Sequence, residues 1–371
     1  MKPPPAVCSR CSQPYPSRGL PFRCPGCGGV YDFQVVFPYH PGSVEPELPG
    51  IWPFRHAFLL PESAPVVSLG EGSTPLIWGE AAGLEVGFKL ESLNPTGSHK
   101  DRGTAVLAGL LAARDIQQVV EDSSGNAGAS LAAYCARLGI RAEIYFPDSA
   151  SGPKRDQIER MGGSPHPVPG PRSAAAQAVL EAAESGAPYA SHAYLPFDLP
   201  GFATIAYELY ETLGGSPGTV IAPVGHGSLL LGIIRGFHAL REAGVIRKQP
   251  VYVGVQSSAC DPLAAAYRGS EQLSDLHRGR KSAAEGVQIA EPIRAEPLLE
   301  SVRESGGLIL AVSEPDLEHG HRALSKMGLD VEATSALVWE GIKECAGEYP
   351  QPVIAVLTGH GLKESGGRPR G

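Results

Sequence analysis

The chain has 371 residues, which is long enough for two domains of ordinary size and a small additional module. A hydrophobic content of 42% and a charged content of 19% are those of a globular protein and exclude a largely disordered chain. The formal net charge of -8 argues against a nucleic-acid partner or an anionic membrane surface. The sequence contains no run of 18 apolar residues and no apolar core near its start, so a cytoplasmic protein without a membrane span is expected.

Four cysteines near the N-terminus follow the spacing C-x2-C-x12-C-x2-C, namely Cys8, Cys11, Cys24 and Cys27. Each C-x2-C pair can place two thiolates on one turn, and two such pairs can close a tetrahedral zinc site. Two alternatives are disulfides, which a cytoplasmic location disfavours, and a site that has lost its metal. Because this segment has few basic residues and no aromatic platform, we predict a structural zinc ribbon over residues 1–35.

Residues 32–65 are rich in proline and also carry Trp52, Phe54 and Phe58. Free linkers seldom contain large aromatic residues, so this composition predicts an extended arm lying over a larger body.

The rest of the chain alternates short apolar runs with helical patterns, which predicts βαβ units and sheets covered on both faces. The predicted strands are Glu85–Leu90, Gln118–Val120, Arg141–Phe146, Thr219–Val224, Val251–Gln256, Leu308–Val312 and Val353–Leu357. The predicted helices are Thr104–Ala113, Ala127–Leu138, Ser173–Glu184, Ala203–Leu213, Leu229–Ala243, Glu314–Lys326 and Ala333–Cys345. Ser313 and Asp316 have the spacing of a capping box, and Gly328 is a plausible helix stop.

The turn-forming residues of 94–98 place Lys100 where a loop passes into the start of a helix. The positive end of a helix dipole disfavours an ammonium group and so favours a neutral, nucleophilic amine. A solvated lysine on a surface turn is the alternative, since charged side chains are mostly exposed.

Two further segments follow a predicted strand and open a helix. Ser123–Gly128 would present backbone N–H groups and hydroxyls to an anion, although helix capping alone also explains its composition. The glycines of Gly225–Leu229 would let the backbone approach a phosphate. A Gly-x-Gly segment also occurs in dinucleotide-binding folds, but the acidic residue expected there after the next strand is absent, because that strand ends at Gln256.

Residues 94–103, Asn-Pro-Thr-Gly-Ser-His-Lys-Asp-Arg-Gly, resemble the lysine motif of the threonine synthase family of fold-type II enzymes, which use pyridoxal phosphate. Residues 70–76 and 356–363 resemble the beginning and the end of the same family, some of whose members carry an N-terminal ribbon. The resemblance implies an α/β fold like that of tryptophan synthase β, with two three-layer α/β domains, a small amino-acid substrate and a homodimer. The implied domains are a large cofactor domain of residues 36–100 and 205–371 and a small domain of residues 101–204.

The resemblance also implies roles for individual residues. Lys100 would form the Schiff base with the cofactor, and His99 would lie beside the cofactor where the family more often has Phe. Asn126 would bond the cofactor 3′ oxygen, and the neutral hydroxyl of Thr358 would meet the pyridine nitrogen, which suits elimination and replacement reactions. The predicted phosphate cradle comprises Gly225, His226, Gly227, Ser228 and Leu229. The predicted substrate-carboxylate site comprises Ser123, Ser124 and Gly125. Hydroxyls that could bind a substrate anion, or simply belong to a turn, are those of Ser73 and Thr74.

Three positions depart from the threonine synthase pattern. Asp198 and Ala203 stand where that pattern has Arg and Lys, and Glu291 stands where many members have Asn. A phosphate substrate would favour cations at the first two positions. Threonine synthesis from O-phosphohomoserine and water is therefore one hypothesis, and β-elimination or β-replacement on another amino acid (a serine/threonine dehydratase or a cysteate synthase-like enzyme) is the second. A non-catalytic interaction protein that binds pyridoxal phosphate or zinc is the third.

Overall fold

The computed structural model describes residues 5–149, 152–270, 281–347 and 349–364. Its strands are β1 (Ala6–Cys8), β2 (Tyr31–Phe33), β3 (Leu76–Ala81), β4 (Leu84–Lys89), β5 (Gln118–Glu121), β6 (Arg141–Pro147), β7 (Ser164–Val168), β8 (Thr219–Pro223), β9 (Val251–Ser257), β10 (Leu308–Val312) and β11 (Val353–Val356). Its α-helices are α1 (Lys100–Ala113), α2 (Asn126–Leu138), α3 (Pro153–Arg160), α4 (Arg172–Glu184), α5 (Leu199–Leu213), α6 (Ser228–Glu242), α7 (Pro262–Tyr267), α8 (Ala295–Glu304), α9 (Glu314–Lys326), α10 (Ala333–Ala336) and α11 (Val338–Glu344). None of these helices is long and apolar enough to cross a membrane.

The larger sheet has six strands in the order β10-β9-β8-β11-β4-β3. Its pairs are parallel except for the edge strand β3, which runs antiparallel to β4. Along β8, Val220 and Ala222 belong to one hydrophobic core and Ile221 belongs to another. Side chains alternate between the two faces of a strand, so both faces of this sheet are covered, as the continuous apolar runs predicted.

The smaller sheet has three parallel strands in the order β5-β6-β7. On one face Val120 of β5 packs in a small core with Val179 of α4 and Tyr189. On the other face Val119 and Ile144 join the main core together with α1 and α2. The sheet is therefore also a covered layer, and its loops after β5 and β6 lead toward the larger sheet.

The N-terminal segment packs on the main body through aromatic contacts. The ring of Tyr15 lies 5.0 Å from that of Phe197, and Phe33 lies 5.8 Å from the same ring. Asp32 of β2 accepts two hydrogen bonds from Arg235 of α6, at 2.7 and 2.8 Å. This segment therefore shares one hydrophobic core with the body.

The proline-rich arm lies over the body, as its aromatic content predicted. Trp52, Phe54 and Phe58 are buried, and the Trp52 indole donates to the carbonyl of Val67 at 2.8 Å. The arm is not wholly extended, because Trp52–Ala57 forms a short 3₁₀ helix.

All the predicted strands and helices occur in the predicted order, with two sets of differences. The helix predicted over Ala333–Cys345 is interrupted at Leu337, whose own backbone angles are helical, so the chain keeps its direction there. The pattern also missed β7, where prolines at residues 165 and 167 are tolerated because the strand lies at the edge of its sheet. It missed α3, α7 and α8 as well. The N-cap half of the capping box is confirmed, since the Ser313 hydroxyl accepts from the Asp316 N–H at 3.3 Å. The domain boundaries stay a prediction.

Candidate active site

A cavity of about 620 Å³ opens where the carboxyl ends of β5, β8 and β11 meet the start of α1. Ligands of open α/β sheets commonly bind outside the carboxyl ends of the strands. Twelve of the residues singled out in the sequence line this cavity: His99, Lys100, Ser123, Ser124, Gly125, Asn126, Gly225, His226, Gly227, Ser228, Leu229 and Thr358.

Lys100 is the first residue of α1, and its side chain is partly buried in the wall of the cavity. Burial lowers the pKa of its amine, although the nearby carboxyl groups of Asp198 and Glu121 act in the opposite direction. Its nitrogen lies 6.0 Å from the centre of the Phe202 ring and makes no hydrogen bond or ion pair with the described residues. The amine is thus free to react with a ligand in the cavity.

The ring of His99 lies beside Lys100 and contacts the last strand. Its Nδ1 is 3.3 Å from the carbonyl oxygen of Thr358, and its ring is tilted against that of Phe202 at 5.6 Å. Burial and the neighbouring Lys100 lower the pKa of His99 well below its usual range. The ring is therefore an uncharged, flat surface at neutral pH.

Asn126 opens α2 and faces the cavity. Its Nδ2 donates to Oε2 of Glu332 at 2.9 Å, whereas its buried Oδ1 has no protein partner. Buried polar atoms are nearly always paired, so this oxygen fits a site for a polar ligand. The turn before α2 is tight, because a Cβ at Gly128 would lie 1.9 Å from the carbonyl oxygen of Ser123.

The loop before α6 has the properties of an anion cradle. Gly227 has φ +94°, and a Cβ at Gly225 would lie 3.0 Å from the carbonyl oxygen of Gly286. The first N–H groups of α6 lack partners within the helix, and Oγ of Ser228 and Nδ1 of His226 are buried without one. These donors fit the phosphate group of pyridoxal phosphate at a helix N-terminus.

Thr358 follows β11 and is held by Ser335, a residue that the sequence did not single out. The two hydroxyl oxygens are 2.9 Å apart, and Oγ of Ser335 accepts from the backbone N–H groups of Thr358 and Gly359 at 2.9 and 3.0 Å. These two N–H groups hold the Ser335 oxygen in place, and that oxygen in turn orients the Thr358 hydroxyl. A serine within an alanine-rich helix carries no signal from which this contact could be predicted.

Several further charged residues lie at the cavity. Lys154 and Glu332 pair at 3.0 Å, and Nδ1 of His192 lies 2.5 Å from Oε1 of Glu121. The remaining charged residues that line it are Arg172, Glu285, Lys363 and Glu364. Most of these residues come from distant parts of the chain and belong to no motif, whereas Lys363 closes the segment 356–363 that resembles the end of the family.

Ser73 and Thr74 do not line the cavity. The Thr74 hydroxyl donates to Glu91 at 2.6 Å, and the backbone N–H of Ser73 donates to Glu208 at 2.8 Å. The structure therefore places Thr74 in a buried polar cluster of the body, whereas Ser73 is exposed and reaches that cluster only through its backbone.

The three departures from the family pattern also lie outside the residues that line the cavity. Asp198 is buried, its Oδ1 has no protein partner, and burial raises its pKa to about 7. Ala203 is buried within α5, and Glu291 is exposed.

The four N-terminal cysteines lie together. The sulfur atoms of Cys8 and Cys27 are 3.4 Å apart, and those of Cys11 and Cys24 are 3.6 Å apart. All four sulfurs lie within 4.8 Å of one another, and even the closest pairs, at 3.4 Å, are well beyond the length of a disulfide. A tetrahedral zinc ion with bonds of about 2.3 Å needs sulfurs about 3.8 Å apart, so the cluster fits that metal.

Comparisons with known proteins agree with this geometry. The sequence model of the pyridoxal-phosphate dependent enzyme family matches residues 67–359. The threonine synthase of Methanocaldococcus jannaschii is 30% identical over 96% of this chain and 92% of its own length. That of Methanosarcina acetivorans is 27% identical over 96% of this chain and 91% of its own length.

Solved structures show the same fold. A threonine deaminase from T.th. superposes with a TM-score of 0.66 at 26% identity, over 79% of this chain and 94% of its own. The L-serine ammonia-lyase of Rhizomucor miehei superposes with a TM-score of 0.68 at 22% identity, over 78% of this chain and 93% of its own. The chain therefore belongs to the pyridoxal-phosphate dependent enzyme family, with the fold-type II architecture and with threonine synthases among its relatives.

Proposed function

We propose that the chain is a threonine synthase-like lyase that converts O-phosphohomoserine and water into threonine and phosphate. The observation that carries the proposal is the unpaired Lys100 amine, which lies in one cavity with Asn126, Thr358 and the loop Gly225–Leu229. The similarity to threonine synthases over nearly the full length supports the choice of reaction.

The residues present fit the cofactor. Lys100 would hold it covalently, and the loop Gly225–Leu229 would bind its phosphate. The side-chain amide of Asn126 would bond its 3′ oxygen, and the Thr358 hydroxyl would meet its ring nitrogen. The uncharged ring of His99 would lie beside it. When bound, pyridoxal phosphate supplies an electron sink for the electron pair left behind when a substrate C–H bond breaks.

Residues of the chain would provide proton transfer and substrate binding. Burial lowers the pKa of Lys100, which favours the neutral amine, and that nitrogen would then accept a proton from substrate carbon. Ser123, Ser124 and Gly125 would bind the substrate carboxylate through hydroxyl and backbone N–H groups ahead of α2. The hydroxyl of Thr358 is neutral and would not hold the ring nitrogen of the cofactor protonated, as suits elimination.

A second candidate function is β-elimination or β-replacement on another amino acid, such as serine or threonine. It is favoured by Asp198 and Ala203, which supply no positive charge where the threonine synthase pattern has two cations. The similarity to a threonine deaminase at 26% identity points the same way.

Purified protein loaded with pyridoxal phosphate tests these proposals when it is offered O-phosphohomoserine, L-threonine and L-serine in turn. We expect threonine and phosphate from phosphohomoserine, whereas a keto acid formed only from serine or threonine would favour the second function. Absence of any turnover would favour a non-catalytic protein. In Lys100→Ala, borohydride reduction should leave no cofactor attached to the chain, whereas Lys326→Ala, which removes an exposed lysine of α9, should behave as the wild type.

We also propose that the four N-terminal cysteines hold a structural zinc ion, on the strength of their sulfur distances. Metal analysis should find about one zinc per chain, which Cys24→Ser loses. Cys260→Ala removes a buried thiol elsewhere in the body and should keep the metal. A wild-type protein without zinc after purification in zinc-containing medium would contradict this proposal.

The division into a ribbon of residues 1–35, a large domain and a small domain, and assembly as a homodimer, are further proposals. Light scattering of the purified chain tests the dimer directly, and a monomer at micromolar concentration would contradict it.

A further inference from the structure

The cavity wall contains a carboxyl–imidazole pair that the proposed function has not used. Glu121 is the last residue of β5, and His192 lies 71 positions later in the chain. Nδ1 of the imidazole is 2.5 Å from Oε1 of the carboxyl group, which is shorter than an ordinary hydrogen bond to nitrogen. The Glu121 side chain is 1% exposed and that of His192 is 16% exposed, so the carboxyl lies behind the ring and the ring lines the cavity.

The pair has one acidic neighbour, Asp122, whose carboxyl lies within 4.8 Å of both partners. The neighbouring carboxyl of Asp122 accepts from the Tyr189 hydroxyl at 2.6 Å. The ring of His226 meets that of His192 edge-on at 5.7 Å and makes no hydrogen bond with it. Since Nδ1 is bound by the carboxyl behind it, Nε2 is the polar atom that His192 offers to the cavity. This is the arrangement in which a carboxyl group fixes the orientation and tautomer of a catalytic imidazole.

The surroundings favour an uncharged pair with one proton on each partner. Burial and Asp122 raise the pKa of Glu121 well above its usual range, against the opposing influence of Lys100. Burial and Lys100 lower the pKa of His192, against the opposing influence of Asp122. The carboxyl then donates to Nδ1, and Nε2 carries the second proton, which points to the ligand. The other charged groups near the pair are Asp198, Arg172 and, when protonated, His226.

We propose that His192, oriented by Glu121, is a catalytic acid that protonates the oxygen leaving from the substrate side chain. This inference rests on the proposed function, since it concerns the substrate of the same cavity. A phosphate or hydroxide oxygen departs as a strong base unless it is protonated as its bond to carbon breaks. Among the described histidines that line the cavity, only His192 is bound by a buried carboxyl.

Protons and electrons balance in this step. Lys100 takes a proton from substrate carbon, and the electron pair of that C–H bond becomes the new C=C bond. The C–O bond breaks, its electron pair stays on oxygen, and the oxygen takes the proton of His192 Nε2. The proton of Glu121 moves to Nδ1, which leaves a carboxylate beside a neutral imidazole. In threonine synthesis water adds its oxygen to one carbon of the double bond and gives a proton to Nε2, while Lys100 returns its proton to the other carbon. The Nδ1 proton then moves back to Glu121, so the pair and the amine are both restored.

Substrates with different leaving groups distinguish an acid catalyst from a residue with a purely structural role. We expect His192→Asn and Glu121→Gln to lower turnover of the oxygen substrate about 10²- to 10⁴-fold, the usual contribution of a positioned acid. The chloro analogue of the same substrate (γ-chloro for phosphohomoserine, β-chloroalanine for serine) loses chloride, which needs no proton. The rate of chloride elimination should therefore stay close to that of the wild type in both variants. Gln at position 121 can keep a hydrogen bond to Nδ1 but carries no acidic proton. His238→Asn, on the surface of α6, is the matched control.

A nitrogen-15 histidine spectrum of the cofactor-loaded wild type gives a readout independent of turnover. We expect a neutral His192 ring with its proton on Nε2 at neutral pH, and a shifted Nδ1 signal in Glu121→Gln. A charged ring, a proton on Nδ1 alone, or an equal loss with oxygen and chloride substrates would overturn the assignment, as would unchanged turnover of the oxygen substrate. No turnover by the wild type would instead refute the proposed function, so the two failures are distinguishable.

Discussion

At the scale of single residues, the cavity depends on groups whose ionisation is set by burial. Asp198 is 3% exposed, its Oδ1 is unpaired, and its pKa is raised from 3.8 to about 7, mainly by burial and against the influence of Lys100. A carboxyl whose pKa is higher in the folded than in the unfolded protein makes its full contribution to stability at pH values below the pKa of the unfolded state. That contribution is lost as the pH rises from about 4 through 7.

Asp198→Asn should therefore reduce the loss of stability between pH 5 and pH 8 by about 2–4 kcal/mol, because an amide cannot ionise. Denaturant unfolding of the cofactor-free protein at both pH values measures this loss. Asp148→Asn removes an exposed carboxylate and should leave the pH dependence as in the wild type. An equal fall in the free energy of unfolding for wild type and Asp198→Asn would show that Asp198 is already ionised in the fold at pH 5.

At the scale of elements, each strand–turn–helix unit is specified by its local sequence, and those units were predictable. The helix start at Lys100, the turn before α2 and the glycine loop before α6 all lie where the sequence placed them. Partners supplied by another element were not predictable. Asn126 and Glu332 are 206 positions apart, and His192 and Glu121 are 71 positions apart. Such contacts depend on how the sheets pack, and local spacing contains no record of that packing.

The turn between β5 and α2 illustrates how closely one element is specified. A Cβ at Gly128 would lie 1.9 Å from the carbonyl oxygen of Ser123, and backbone cannot yield as a flexible side chain can. Gly128→Ala should displace the residues predicted to bind the substrate carboxylate. We expect weaker pyridoxal phosphate binding by fluorescence titration and a loss of stability of about 1–3 kcal/mol or more. Gly215→Ala has no atom within 4 Å of the added Cβ and should leave both quantities unchanged. Unaltered cofactor affinity in Gly128→Ala would mean that this turn does not shape the site.

At the scale of the whole molecule, Arg102 joins the parts of the chain that build the cavity. Its fully buried guanidinium donates to Glu91 at 2.7 Å and to Glu208 at 2.6 and 2.8 Å. Glu208 also pairs with Lys89 at 2.6 Å. The network thus connects β4, α1 and α5, and Arg102 lies two residues beyond Lys100 on α1. The sequence suggested only a cluster of charged residues around Lys100 and did not indicate this buried network.

Removing Arg102 should cost far more than removing a surface arginine, because it leaves two carboxylates buried without their main cation. We expect Arg102→Met to lower the free energy of unfolding by about 3–5 kcal/mol. Arg322→Met breaks an exposed pair with Glu318 on α9 and should cost less than about 1 kcal/mol.

Although burial alone would raise it, the pKa of Glu208 is lowered to about 2 by Arg102 and Lys89. Its contribution is therefore present above about pH 4.5 and is lost as the pH falls toward 2. Unfolding curves of both variants and the wild type at pH 7 and pH 4 should show the Arg102→Met deficit shrinking in acid. A deficit that stays constant, or one no larger than that of Arg322→Met, would show that packing rather than charge holds this junction together.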